Sequence, residues 1–127
     1  MIVMNEIYTE FKKWIDILLE NNKMPENALA FCFNLYEESI EDSVYSVQLV
    51  ACDKFDENDP DWACEEVWSS EEDIFCIELS DEQEKDWNAV QTLIKSWIQE
   101  YMKNCEILSS KPVGIGFIDG ELELIEL

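Results

Sequence analysis

Thirty carboxylates against eight lysines, with no arginine and no histidine, give this 127-residue chain a formal charge of −22. That balance is the hardest condition its fold must meet. Like charges on one small molecule repel, so compaction is stable only where apolar burial outweighs the repulsion. The chain has the means, since 47% of its residues are hydrophobic and 12% aromatic, which a disordered acidic segment lacks. Its length suits one domain with a core that needs no disulfide or metal staple. A single domain over residues 1–127 is expected, because no repeat or linker interrupts the sequence.

The missing residue types exclude whole classes of chemistry. Without histidine, the usual general base and the Ser-His and Cys-His nucleophile pairs are absent. Without arginine there is no bidentate phosphate clamp. The three glycines all lie near the C-terminus and form no phosphate-binding loop. Nucleic acid and anionic membrane surfaces are disfavoured as partners, because both need clustered basic residues. Carboxylate pairs of the glycosidase kind are too easily formed by chance here to single out an enzyme.

Cysteines 32, 52, 64, 76 and 105 are odd in number and form no C-x-x-C pair, which fits free thiols in a reducing compartment. Cys52 and Cys64 flank the most acidic segment and are the candidates for exposure. The stretch from Asp56 to Val67 imitates a calcium loop but fails it: Pro60 takes the third alternating ligand position, Asp61 replaces the central glycine, and Val67 replaces the final glutamate. No cofactor or metal is expected. The opening Met1-Ile2-Val3-Met4 is too short for a signal-peptide core, and no apolar run would span a membrane, so a cytoplasmic protein is expected.

Periodicity supplies the architecture. Ile7, Phe11, Trp14, Ile15, Leu18 and Leu19 recur at helical spacing over residues 5–21, with Asn5 as N-cap and Asn21-Asn22 as stop. Residues 28–36 form a near-continuous apolar run, read as a buried strand. Residues 43–52 alternate, with Tyr45, Val47, Leu49 and Ala51 on one face and Val44, Ser46, Gln48 and Val50 on the other. The two strands should pair antiparallel. A short strand is expected near Trp62 to Val67 and another over residues 74–79. Ser80 to Gln83 matches a capping box that opens a second helix over residues 81–104. The chain should end in a hairpin, 113–118 with 121–125, turning at Asp119-Gly120. A two-residue turn would pair Phe117 with Leu122 and Ile115 with Leu124, all facing the core. Gly114 and Gly116 would then lie on the other face, open to a backbone or a ligand. The expected fold is α+β: an antiparallel or mixed sheet of about five to six strands with two main helices packed on it.

The acidity is uneven. It is dense at Glu37, Glu38, Glu41 and Asp42, and again at Asp53, Asp56, Glu57, Asp59, Asp61, Glu65 and Glu66, where Trp62 and Trp68 stand among the acids. Carboxylates around an aromatic anchor would complement a basic protein surface. These residues are the candidate partner-binding site. The plainer alternative is that the indole rings are core and the acids face water.

The pairing of FDENDPDWACEEVW (Phe55 to Trp68) with GIGFIDGELEL (Gly114 to Leu124) resembles small bacterial immunity proteins of polymorphic toxin systems, including contact-dependent growth inhibition. The resemblance covers the middle and end of the chain. It implies a cytoplasmic, non-catalytic protein that blocks a cognate toxin, commonly a nuclease with a basic active site. It supplies no fixed set of contact residues. Two alternatives stay open: an interaction subunit docking through the Gly114/Gly116 face, and a carboxylate-dependent enzyme.

Overall fold

A computed structural model describes residues 4–39, 44–70, 73–78, 87–118 and 120–125. Helix α1 (Met4–Asn21) leads into β1 (Ala30–Ser39) and β2 (Val44–Cys52). A 3-10 helix (Pro60–Cys64) precedes β3 (Glu66–Ser69) and β4 (Phe75–Glu78). Then come α2 (Trp87–Met102), the single turn α3 (Glu106–Ser109), β5 (Val113–Phe117) and β6 (Glu123–Ile125). The six strands form one mixed sheet, and the fold is the expected α+β arrangement with two main helices.

Strand β1 is central. It pairs antiparallel with β2 and parallel with β5, and β6 closes that side as the antiparallel arm of the C-terminal hairpin. On the other side, β3 and β4 both run antiparallel to β2 and share its outer edge. They are two pieces of one edge strand, parted near Ser70. There the Ser70 N–H donates to the Leu49 carbonyl at 2.9 Å, and the Ser70 hydroxyl accepts from the Leu49 N–H at 3.2 Å. The break therefore leaves both backbone groups of Leu49 paired.

The strand register sorts side chains onto two faces. Phe31, Phe33 and Leu35 join Tyr45, Val47, Leu49 and Ala51 in the main core, roofed by Phe11, Trp14, Ile15 and Leu18 of α1 and Val90, Ile94, Trp97 and Ile98 of α2. The opposite parity puts Ala30, Cys32, Val50 and Cys52 in a second, smaller cluster with Trp62. This explains the unbroken apolar start of β1, since a strand covered on both faces need not alternate. Phe11 is the aromatic hub of the main core. Its ring centroid lies 5.9 Å from Trp14, 6.3 Å from Phe33, 5.4 Å from Phe75 and 5.7 Å from Trp97.

Several expectations need correction. Helix α1 begins at Met4, so Asn5 lies inside it instead of capping it. Its stop holds, because the Asn22 amide donates to the Leu18 carbonyl at 3.0 Å. The capping box at Ser80 to Gln83 lies outside the described residues. Helix α3 was not foreseen: a four-residue turn carries too little periodicity to read, yet it buries Leu108. The strand expected near Trp62 begins only at Glu66, because Asp59 and Pro60 start a 3-10 turn first.

The hairpin register is shifted by one residue. Val113 faces Ile125, Gly114 faces Leu124 and Ile115 faces Glu123. Asp119, half of the expected turn, lies outside the described residues, and the Gly120 N–H donates to the Phe117 carbonyl at 2.9 Å. The shift sends Ile125 into the main core and Leu122 and Leu124 to the second cluster. That face needs apolar cover beside Trp62, which the one-core reading of the hairpin had not supplied.

Phe11→Ala should lower the unfolding free energy by about 3–5 kcal/mol in urea titrations. Ile17→Ala, at a side chain 53% exposed on the same helix, should change it by less than about 0.5 kcal/mol. Raising salt from about 0.02 M to about 0.3 M should raise the thermal midpoint, because carboxylate repulsion is screened. A midpoint that falls with salt would show attractive pairs in control.

Candidate functional site

The most acidic stretch leaves the sheet at Cys52 and returns at Glu66. What orders it is one indole. Trp62 is 4% exposed, and it packs down on β5 at Gly114, where an added Cβ would stand 3.2 Å from the ring. Phe55 meets that ring edge-on at 5.3 Å. The base of the loop is closed by the Asp53 N–H donating to the Glu65 carbonyl at 3.1 Å. Asp56 accepts from the Asn58 N–H at 2.9 Å, and Asp59 accepts from the Asp61 N–H at 3.0 Å. The second bond caps the 3-10 helix, with Pro60 preset for its first turn. Asp56 and Asp59 thus hold the loop's shape while staying exposed.

The ordered loop separates two depressions. One, of about 440 Å³, has Leu29, Phe55 and Trp62 against Asp53, Asp56, Asp59, Asp61 and Glu65, with Lys54 as its single cation, exposed and 3.8 Å from Glu65. Leu29 is half exposed there. The other is an open groove of about 720 Å³ on the face of the sheet opposite α1 and α2. Asn34, Tyr36 and Gln48 form its floor, Phe117, Ile118 and Leu122 one wall, and Asp61, Ala63, Cys64 and Glu66 the other. The Tyr36 hydroxyl donates to Gln48 Oε1 at 3.1 Å, and the Asn34 amide reaches the same oxygen at 3.5 Å. Burial, and then the Glu66 carboxylate, push the Tyr36 phenol above its ordinary value.

The expected partner-binding residues divide. Asp53, Asp56, Asp59, Asp61, Trp62 and Glu65 converge on the first depression. Asp61 and Glu66 border the groove. Glu57 is exposed on the loop, and Glu37 and Glu38 are exposed at the end of β1. Glu38 accepts from the Ser46 hydroxyl at 2.7 Å. Glu41 and Asp42 lie outside the described residues. The indoles are placed as packing groups. Trp62 gives the first depression its apolar floor but cannot stand out as an anchor. Trp68 packs against the main core on the opposite face of the sheet and does not join the site.

The Gly114/Gly116 face is already occupied by the chain itself. The Trp62 ring and Leu122 Cδ1 cover Gly114, and the backbone of Glu121 and Leu122 crosses Gly116 at a distance that would put an added Cβ 2.9 Å from the Glu121 carbonyl oxygen. Sequence reasoning missed the groove floor. Its signal was present: Asn34 interrupts an apolar strand and is in register with Gln48.

Two of the thiols, Cys32 and Cys52, are held in the neutral form. Burial pushes Cys32 up to about 12 and Cys52 up to about 11. Cys52 is buried, against expectation, while Cys64 is exposed. Among the described residues, no cluster of three or more Asp, Glu, Cys or His side chains has the geometry to hold a metal ion. No helix there is long and apolar enough to cross a membrane. Compared with protein-family models, curated proteins and solved structures, the chain matches none.

Gly116→Ala should destabilise the fold by about 1–3 kcal/mol, because a backbone atom blocks the new methyl. Gly114→Ala should cost less, since the nearest atom at 3.0 Å is the end of the Leu122 side chain, which can turn aside. Thermal melts giving the reverse order would contradict this packing.

Proposed function

We propose that this chain is a non-catalytic binding protein that neutralises a basic protein partner, in the manner of a bacterial immunity protein blocking its cognate toxin. One observation carries the reading. The densest acidic stretch is an ordered platform pinned by Trp62, with Asp53, Asp56, Asp59, Asp61 and Glu65 gathered around an apolar floor. Carboxylates that merely kept the protein soluble would need no such ordering. An apolar floor with an acidic rim suits a lysine or arginine side chain, whose stem packs while its head pairs. The net charge of −22 would steer a basic partner into contact before any specific bond forms. The cellular setting that belongs to this reading is the cytoplasm, where a toxin domain would act.

The test reverses charges that the loop does not need for its own shape. Asp61→Lys, Glu65→Lys and Glu57→Lys together spare the side-chain bonds of Asp56 and Asp59. With a toxin domain whose gene adjoins that of this chain, the triple variant should associate at least tenfold more slowly and with a flatter salt dependence. It should also fail to protect cells that co-express the toxin. Unchanged association with full protection would remove the acidic platform from the contact surface. No protection by the native chain would overturn the neutralising reading altogether.

A further inference from the structure

We infer that the groove on the sheet face opposite α1 and α2 is a second docking site, which takes a short peptide segment of a basic protein and seats one cationic side chain of it over Tyr36. This deepens the reading above and rests on it for the partner being a protein. The groove's construction differs from that of the acidic platform. Its floor is neutral and polar, with Asn34, Tyr36 and Gln48 tied by hydrogen bonds across β1 and β2. A carboxamide and a phenol positioned by neighbouring strands can pair with backbone amides, which a field of carboxylates cannot do selectively. Its hairpin wall is apolar at Phe117, Ile118 and Leu122, with Ile118 55% exposed, and adds the carboxylate of Glu121. Its opposite wall ends in carboxylates, Asp61 and Glu66.

A cationic side chain lying along the groove would rest its stem on Ile118 and Leu122 and its head between Glu66 and the Tyr36 ring. The volume, about 720 Å³, falls in the range of sites that enclose whole ligands, so it has room for residues flanking the cation. Charge decides the sign of the occupant. A neutral segment would gain nothing from Asp61 and Glu66, and an acidic one would be repelled by them and by the molecule as a whole.

The experiment is an NMR titration of the intact, isotope-labelled chain at about 0.15 M salt, where long-range attraction is screened. The probes are a capped tripeptide with arginine between two leucines, its glutamine counterpart, and spermine. The arginine peptide should shift the signals of Asn34, Tyr36, Gln48, Gly116 and Gly120. Glutamine at the centre should weaken binding by about tenfold, and spermine should not centre on the groove. Tyr36→Phe and Glu66→Gln should each weaken the arginine peptide by about threefold or more, with Glu20→Gln on α1 unchanged. Shifts confined to residues 53–59 would overturn the groove and leave the basic-partner reading standing. Equal binding of the glutamine peptide would overturn the cationic seat, and a groove filled equally well by spermine would overturn peptide recognition. If no cationic probe bound anywhere, the groove would fall as a docking site, while the neutralising reading would still be decided by protection against the toxin.

Discussion

The indole of Trp62 lying on Gly114 joins two parts of the molecule that electrostatics would drive apart. Strand β1 is apolar on both faces at its start, so it needs cover from above and below. Helices α1 and α2 provide one roof with a large aromatic core. The other roof is the acidic loop, which carries little apolar area beyond Phe55, Trp62 and Ala63. A ring of that size can bury 150–250 Å² or so in one contact, but only if the sheet offers a recess. Gly114 is that recess. A methyl there asks Leu122 and the ring to give by only a few tenths of an ångström, but a larger side chain would lift the ring, expose the start of β1 and leave the carboxylates without their common platform.

The same contact explains how so acidic a chain keeps an ordered acidic segment. Repulsion among Asp53, Asp56, Asp59, Asp61 and Glu65 favours an open loop. Against it stand burial of the indole, the closing bond between Asp53 and Glu65, and two aspartates that accept backbone N–H groups. The ion pairs seen at Lys13, Lys54 and Lys103 are largely exposed, and such pairs contribute about 0–1 kcal/mol each. The core is therefore the main counterweight to the charge, with Phe11 touching four other rings at its centre.

How much of this was legible depends on whether one face or two decided a segment. Helix α1 and the first half of strand β2 each have one apolar side, and their periods gave the correct faces. The C-terminal strand has Leu122, Leu124 and Ile125, so both parities are apolar, and alternation could not choose between registers one residue apart. The choice was made by the second cluster, which exists only because Trp62 reaches across from another part of the chain. The acidic site was visible as composition, but its division into two depressions was not. That division follows from Asp59 and Pro60 starting a 3-10 turn where an irregular loop with a short strand was expected. Asn34 was legible as a polar break in β1, and its meaning came only from the register that set it beside Gln48.

The interrupted strand at the outer edge of β2 has a consequence for solubility. A sheet edge with a long row of unpaired backbone groups is a template on which another chain can add a strand. Here one edge consists of two four-residue strands, β3 and β4, with Ser70 at the end of the first turning its hydroxyl in to the Leu49 N–H, so neither strand presents a long row by itself. The other edge, β6, offers three residues among those described, a short template for an incoming chain. The architecture thus discourages growth of the sheet from either side. Protection against self-association is built into the backbone as well as the charge, and it would persist at salt concentrations that screen the carboxylates.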